Sequence, residues 1–171
     1  TVVEEVPEGY ASVPDRTVTV GASNGAKNTA KLAVQNEPLT LELQKTDSLA
    51  GAGMPGVTFR LKTATGSAVK LSRTADGVYN YDANGSLTSA VTSAAGKITI
   101  HRIPAGTYTV VEEVPEGYAS VPDRTVTVGA SNGTKNPAKL AVQNTPLVLE
   151  LRKSDALTAS GMADVRREMR T

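Results

Sequence analysis

The chain contains a long internal repeat. The segment from Thr1 to Gly25 recurs unchanged from Thr109, and the similarity continues through the KLAVQN segments that end at Asn36 and Asn144. The offset is 109 − 1 = 108 residues, which is too long for a solenoid unit and typical of a whole domain. The sequence therefore predicts the end of a preceding repeat, a complete central module and the start of a following repeat, at residues 1–38, 39–147 and 148–171.

The following repeat departs from the pattern soon after it begins. Its segment LELRKSD, residues 149–155, matches LELQKTD, residues 41–47, but residues 164–169 no longer follow the strand pattern of residues 56–61. We expect this divergent tail to be poorly ordered or helical.

Composition excludes several classes of function. The net charge is +1 with 20% charged residues, so no electrostatic case exists for nucleic acid or an anionic membrane surface. The absence of cysteine removes disulfides, thiolate metal sites and cysteine nucleophiles. A single histidine, His101, leaves little for a histidine catalyst or a multi-histidine metal site. No apolar run approaches the length of a membrane span. We therefore expect no metal, no cofactor and no membrane insertion in this segment.

Alternating apolar and polar residues predict short β-strands throughout the central module. Turn signals such as Asn84-Gly85 and Ala95-Gly96 separate these strands. The predicted strands lie near residues 41–45, 57–61, 69–71, 78–81, 98–100, 108–112, 126–128 and 140–144. Seven to eight short strands in about a hundred residues, without a helical period between them, indicate an all-β, Ig-like antiparallel sandwich.

Three polar side chains fall on the apolar faces of their strands. Lys45 is in phase with the inward leucines of the first strand, and Glu112 and Asn144 are in phase with the inward residues of two later strands. The adjacent Glu113 lies on the opposite face and is the poorer candidate. Burying one charged group without a partner costs several kcal/mol, so the three residues need a common explanation.

Two explanations are open at this point. Each residue could sit at a strand end and extend its head group to water. Alternatively, a buried lysine loses its charge and becomes a nucleophile. A buried glutamic acid can polarise the asparagine amide and transfer protons. Lysine attack on the asparagine side chain, with loss of ammonia, would then join the first and last strands once per molecule, so the chain is not expected to be a turnover enzyme.

The order of motifs resembles the Cna protein B-type domain, also called the SpaA-like prealbumin-like fold, which recurs in surface proteins and pilins of Gram-positive bacteria. The resemblance begins with the LELQKTD segment and VTFRL of residues 57–61, and it continues through GKITI of residues 96–100. It also includes IPAGTY of residues 103–108 and the stretch YTVVEEVPEGY of residues 108–118. The whole central module and both flanking segments are covered.

The resemblance implies the role of each inward polar residue. In that family the lysine lies in the first strand, the asparagine in the last, and the catalytic glutamate before a Pro-x-Gly-Tyr turn. The matching positions are Lys45, Asn144 and Glu112. Here only Glu113-Val114 separates Glu112 from Pro115, one residue fewer than in many members, which loosens the choice between Glu112 and Glu113. The partial repeats carry the equivalent orphan positions, which are Glu4, Asn36 and Lys153.

The resemblance implies a stalk or spacer module of a cell-wall-anchored protein on a Gram-positive bacterium, with its signal and anchor outside this fragment. Its expected partners are adjacent repeats of the same protein, and possible contacts with host extracellular matrix would belong to another domain. A pilus subunit polymerised by sortase is an alternative in the same class. A ligand-binding adhesin sandwich without the covalent bond is another. Tyr79 and Tyr81 lie in the stretch from Val78 to Leu87 where a binding loop could be hidden, but ordinary strand packing is the favoured explanation for them.

Overall fold

The central module folds as a sandwich of two β-sheets. The structure is a computed structural model that describes residues 1–20, 30–129, 136–152 and 154. Regular secondary structure in these residues consists of strands only, which confirms the all-β fold class. The strands are β1 (Thr40–Asp47), β2 (Thr58–Thr63), β3 (Leu71–Ala75), β4 (Val78–Tyr81), β5 (Ala90–Val91), β6 (Lys97–His101), β7 (Gly106–Glu112), β8 (Arg124–Val128) and β9 (Ala138–Asn144).

One sheet has five strands in the order β3-β4-β6-β1-β9, and the other has four in the order β5-β2-β7-β8. The predicted antiparallel pairing holds throughout the four-stranded sheet. The five-stranded sheet is mixed, because β1 runs parallel to β9 and β4 runs parallel to β6. The parallel pair arises because the chain crosses from β8 in one sheet to β9 in the other and enters beside β1 in the same direction. The first and last strands of the module are therefore direct neighbours.

Alternation along β1 illustrates how the sequence forms the core. Leu41, Leu43 and Lys45 are buried, while Glu42 and Gln44 between them are partly exposed. Successive side chains of a strand point to opposite faces, so every second residue of β1 enters the space between the sheets. The other strands contribute in the same way. The largest fully buried apolar side chains are Tyr79, Phe59, Leu41, Leu61, Leu71, Ile98, Ile100, Ile103, Val128 and Val142.

Tyr79 and Tyr81, which were considered for a binding loop, pack in or against the core. Tyr79 is buried in the core, and its hydroxyl accepts a hydrogen bond from the Val91 amide at 2.9 Å and donates one to the Val91 carbonyl at 3.3 Å. Tyr81 packs partly buried against the same core. Both residues therefore serve strand packing. Val91 belongs to β5, which the sequence did not predict because two residues are too short to show alternation.

The preceding segment and the end of the central module share one local structure. Tyr10 forms a β-bridge to Pro38, and 108 residues later Tyr118 forms a β-bridge to Pro146. The module boundaries near residues 38 and 147 stay predictions. Lys153 and the divergent tail from residue 155 lie outside the described residues.

We expect the Leu41→Ala substitution to lower the free energy of unfolding by about 2–5 kcal/mol, since it removes a core side chain and leaves a cavity. Leu41 is 1% exposed, whereas Leu49, just beyond β1, is 79% exposed. The matched Leu49→Ala substitution should therefore change the free energy by less than about 0.5 kcal/mol. Urea unfolding monitored by circular dichroism measures both, and equal shifts of the two midpoints would contradict the inward orientation of Leu41.

Candidate functional site: a buried lysine, glutamate and asparagine

Lys45 is held inside the sandwich by the backbone of β1. Its amide donates to the Gly96 carbonyl at 2.8 Å, and its carbonyl accepts from the Met54 amide at 3.0 Å. The side chain is fully buried, and Nζ lies 3.6 Å from Oε1 of Glu112. The Thr46 carbonyl, at 3.3 Å, and the Met54 sulfur, at 3.4 Å, are its further polar contacts. An amine is therefore fixed in the apolar interior close to one carboxyl group.

Glu112 reaches Lys45 from the opposite sheet. It is the last residue of β7, lies opposite Phe59 of β2, and has a side chain that is 3% exposed. The neighbouring Glu113 is 47% exposed on the outer surface, where it forms an ion pair with Arg60. Strand alternation thus separates the two consecutive glutamates, and Glu112 is the one that faces Lys45.

Asn144 completes the cluster from β9. In the parallel pairing of β1 with β9, Lys45 lies opposite Val142 and Asp47 lies opposite Asn144. Lys45 and Asn144 are therefore two positions apart on the same inward face. Asn144 is fully buried, and neither its amide atoms nor the two carboxyl oxygens of Glu112 form a hydrogen bond within the described part of the chain. Buried polar atoms without partners cost about 1–3 kcal/mol each, so this arrangement lowers the stability of the fold and needs a reason other than packing.

Burial shifts the titration of both ionisable groups toward their neutral forms. Desolvation lowers the pKa of Lys45, while the charge of Glu112 and, less strongly, Asp47 oppose that change. Desolvation also raises the pKa of Glu112, while Lys45 and the adjacent Asn144 amide act in the opposite direction. A neutral amine beside a neutral carboxylic acid is the state that burial favours. That state combines a nucleophile with a proton donor.

The loops around Lys45 contribute two residues that sequence reasoning missed. Met54 is 8% exposed and places its thioether against Nζ. Thr92 is also buried and fixes that loop, because its hydroxyl donates to the Met54 carbonyl at 2.7 Å and accepts from the Val57 amide at 2.9 Å. Both residues lie outside regular strands, so alternation carries no signal for them.

A hydrogen bond closes the same end of the sandwich. The Tyr118 hydroxyl donates to Oδ2 of Asp47 at 2.8 Å, and the other Asp47 oxygen accepts from the amides of Leu49 and Ala50 at 2.7 and 2.8 Å. The Ala50 amide and the Tyr118 hydroxyl are the main causes that lower the pKa of Asp47, and the same hydrogen bond raises the pKa of Tyr118. The bond ties the turn after β7 to the end of β1, next to Asn144.

The preceding repeat shows the glutamate and asparagine without their lysine. Nδ2 of Asn36 donates to Oε1 of Glu4 at 2.9 Å, and these residues correspond to Asn144 and Glu112 at the 108-residue offset. Lys153, the third orphan position, lies outside the described residues. A glutamate and an asparagine therefore occupy equivalent positions in both copies, and in the preceding repeat the two side chains are joined by a hydrogen bond.

Among the described residues, no metal site provides an alternative to the cluster of Lys45, Glu112 and Asn144. Within residues 1–20, 30–129, 136–152 and 154, no group of three or more histidine or acidic side chains could hold a metal ion. His101 is near Thr40 at the start of β1, with 3.2 Å between Nδ1 and Oγ1. In the same ranges no helix is long and apolar enough to cross a membrane.

A two-sheet sandwich with neighbouring first and last strands defines the prealbumin-like class of fold. Residues 39–146 match the SpaA family, described as a prealbumin-like fold domain. This match covers more than half of the chain, so the protein belongs to that family. The family resemblance inferred from the sequence is thereby confirmed. A comparison with curated protein sequences finds no significant match.

Solved structures of pilins have a similar fold. GBS52, the minor pilin of Streptococcus agalactiae, matches with a TM-score of 0.53 and 20% identity over 70% of this chain and 51% of its own. The shaft pilin spaA of Lactobacillus rhamnosus GG matches with a TM-score of 0.53 and 18% identity over 84% of this chain and 62% of its own. The C-terminal domain of the same shaft pilin gives 0.50 and 18% over 63% and 97%. The chain thus spans about half of the minor pilin, and at these identities the likeness concerns the fold alone.

Tyr118→Phe should lower the stability of the central module at neutral pH and make it less dependent on acid. The pKa of Asp47 is depressed in the folded state, so its contribution is present above the unfolded pKa and is lost as pH falls through the folded pKa. The difference between wild type and variant should therefore shrink on acidification. Urea unfolding of wild type and variant, measured from neutral pH down to acid below the folded pKa of Asp47, gives this difference in stability. Tyr10→Phe in the preceding repeat is the control. A difference that is constant with pH would contradict the role of this bond.

Proposed function

We propose that the chain is a structural stalk segment of a cell-wall-anchored surface protein of a Gram-positive bacterium, and that its central module forms an intramolecular isopeptide bond between Lys45 and Asn144. The observation that carries this proposal is the buried cluster: Nζ of Lys45 lies 3.6 Å from Oε1 of Glu112, and Asn144 is fully buried on the same inward face as Lys45. The proposed reaction explains why three polar groups point inward with so few hydrogen bonds among the described residues, whereas packing of the sandwich alone does not.

The reaction needs only groups that the chain supplies. The neutral amine of Lys45 attacks Cγ of Asn144 and forms a new C–N bond. Glu112 accepts a proton from the attacking nitrogen and delivers a proton to Nδ2 of Asn144, whose bond to Cγ then breaks so that ammonia leaves. One amine and one amide become one substituted amide and one ammonia, and Glu112 returns to its starting protonation state. The module reacts once, so this is maturation and not turnover.

The surroundings of the cluster favour this reaction. Burial shifts the pKa of Lys45 down toward its nucleophilic form and the pKa of Glu112 up toward its proton-donating form. The Met54 thioether is a weak acceptor, so it contacts Nζ without stabilising the ammonium form as an oxygen acceptor would. The hydrogen bond from Asn36 to Glu4 supports the role of Glu112 in orienting the asparagine amide, because it joins the equivalent atoms of the preceding repeat.

The position of the bond gives it a mechanical role. Because β1 and β9 are parallel, Thr40 and Asn144 lie at opposite ends of this strand pair, and tension between them would shear the two strands. The proposed bond carries that tension from Lys45 directly to Asn144 and spares the chain between them. Closing a loop of roughly 100 residues should also stabilise the module by about 4–5 kcal/mol on the chain-entropy estimate for cross-links. A cross-link of this kind does not require cysteine or an oxidising compartment.

The module therefore serves best as a stiff spacer whose partners are adjacent repeats of the same protein. Its fold resembles minor and shaft pilins, so a subunit of a sortase-assembled pilus is the second candidate, in which the partners would be other subunits. The recurrence of whole segments at a fixed offset favours tandem stalk repeats. Any contact with host matrix is assigned to another domain, since the tyrosines of the candidate loop belong to the core.

Wild-type protein should be lighter than its sequence mass by one ammonia, and the Glu112→Gln variant should have its full sequence mass. Glutamine keeps the size of the side chain but cannot accept and return the proton. Intact-protein mass spectrometry measures the difference directly. Glu113→Gln is the matched control, because it changes the adjacent glutamate on the outer surface and should leave the loss of ammonia unaffected.

Full sequence mass in wild type would exclude the cross-link while leaving the sandwich intact. Loss of ammonia in the Glu112→Gln variant would show that the bond forms without Glu112. If Glu113→Gln kept its full sequence mass and Glu112→Gln lost one ammonia, Glu113 and not Glu112 would be the residue that the reaction needs.

A further inference from the structure

The junction between the preceding repeat and the central module is built from a repeated set of hydrogen bonds. The Pro7–Tyr10 turn is closed by the Tyr10 amide, which donates to the Pro7 carbonyl at 3.2 Å, and the Gly9 carbonyl accepts from the Leu39 amide at 2.8 Å. Ala11 adds a bond from its amide to the Glu37 carbonyl at 2.8 Å. The turn at the end of one repeat is therefore fastened to the first residues of the next.

The same set recurs at the other end of the central module. In the Pro115–Tyr118 turn, the Tyr118 amide donates to the Pro115 carbonyl at 3.3 Å, and the Gly117 carbonyl accepts from the Leu147 amide at 2.7 Å. The Ala119 amide donates to the Thr145 carbonyl at 2.9 Å. Each donor and acceptor is displaced by 108 residues from its counterpart in the first junction. Both turns are therefore held by the same three backbone hydrogen bonds.

The two turns differ in what covers them. Gly9 is buried, and a Cβ at this position would collide with the carbonyl group of Arg102. Gly117 is exposed, and a Cβ there would have no atom of the described residues within 4 Å. The φ angles are +83° and +82°, so the backbone of the turn is the same in both copies. The difference is the presence of the Arg102 loop over the first glycine alone.

The cover over Gly9 is the connection between β6 and β7. Arg102 opens this connection in the left-handed region, at φ 56°, which is uncommon for a residue with a side chain. Ile103 follows, is fully buried, and donates its amide to the Leu39 carbonyl at 3.3 Å. Ala105, in the same connection, lines a cleft with residues 6–12. The loop is thus anchored in the core of the central module and presents its backbone to the preceding turn.

We propose that the exposed Pro115–Tyr118 turn is the docking site for the β6–β7 connection of a second complete copy of this module, placed after this turn as the central module is placed after the Pro7–Tyr10 turn. The occupant is defined by the first junction, where an identical turn already holds that connection. Leu147 corresponds to Leu39, and their exposures are 68% and 4%, so the position that the β6–β7 connection covers at the first junction is open at the second. Successive modules then meet at one repeated junction and take one fixed relative orientation. This proposal does not depend on the cross-link.

The test compares Gly9 and Gly117 in the full chain and in an extended chain. The extended chain carries residues 1–146 followed by residues 39–171, so that a second complete module follows Gly117. Amide exchange with solvent is measured by NMR on glycine-labelled protein, and the Gly9→Ala and Gly117→Ala variants assign the two signals. Exchange at Gly117 should be fast in the original chain and should slow to the rate of Gly9 in the extended chain.

Unchanged fast exchange at Gly117 in the extended chain would overturn the proposal. The three isoleucines, Ile98, Ile100 and Ile103, all lie in the central module, so a doubling of their buried methyl signals reports that the added module has folded. If it does not fold, the original chain still decides. Gly9→Ala should shift the signals of Ile103, whereas Gly117→Ala, which strains an identical turn, should not. Equal effects of both variants, or no effect of either, would overturn the specific seating of this turn on the β6–β7 connection.

Discussion

The structure depends on how three polar side chains are accommodated between two otherwise apolar sheets. Isolated charges in such an interior cost several kcal/mol, and removing one partner of a buried pair leaves the other uncompensated. Lys45 and Glu112 reduce that cost by approaching each other from opposite sheets, and burial moves both toward neutrality. This contact also constrains the packing of the sheets, because the end of β7 must lie over the C-terminal part of β1. The electrostatic requirement to pair the two groups therefore also determines where they lie in the sandwich.

The order of the strands would give the proposed cross-link a mechanical role. The parallel pairing of β1 with β9 places the entry and exit of the chain at opposite ends of one strand pair. A tie between Lys45 and Asn144 then lies on the shortest route for tension through the module. The hydrogen bond between Asp47 and Tyr118 closes the same end, and the turn that contains Tyr118 is the one proposed to receive the next module. The proposed cross-link, the hydrogen bond between Asp47 and Tyr118 and the proposed junction would thus follow one another along the path of tension through the module.

Much of this arrangement could be predicted from the sequence, and the exceptions have physical reasons. Alternation identifies the face on which each side chain lies, so it selected Lys45, Glu112 and Asn144 and separated Glu112 from Glu113. It does not specify which strands are neighbours or in which direction they run, so the parallel β1–β9 pair was not predicted. Met54 lies in a loop without periodicity, and its contact with Nζ depends on tertiary packing alone. The partners of the Pro115–Tyr118 turn were missed for the same reason.

The most direct measurement of the central claim is peptide mapping of the purified chain by tandem mass spectrometry after tryptic digestion. The account predicts a branched peptide in which the side chain of Lys45 is joined to that of Asn144, with no cleavage after Lys45. Linear peptides that contain Asn144 unmodified, together with normal cleavage after Lys45, would contradict it. The buried cluster would then be a structural feature of the sandwich, and the proposed load path would have no covalent element.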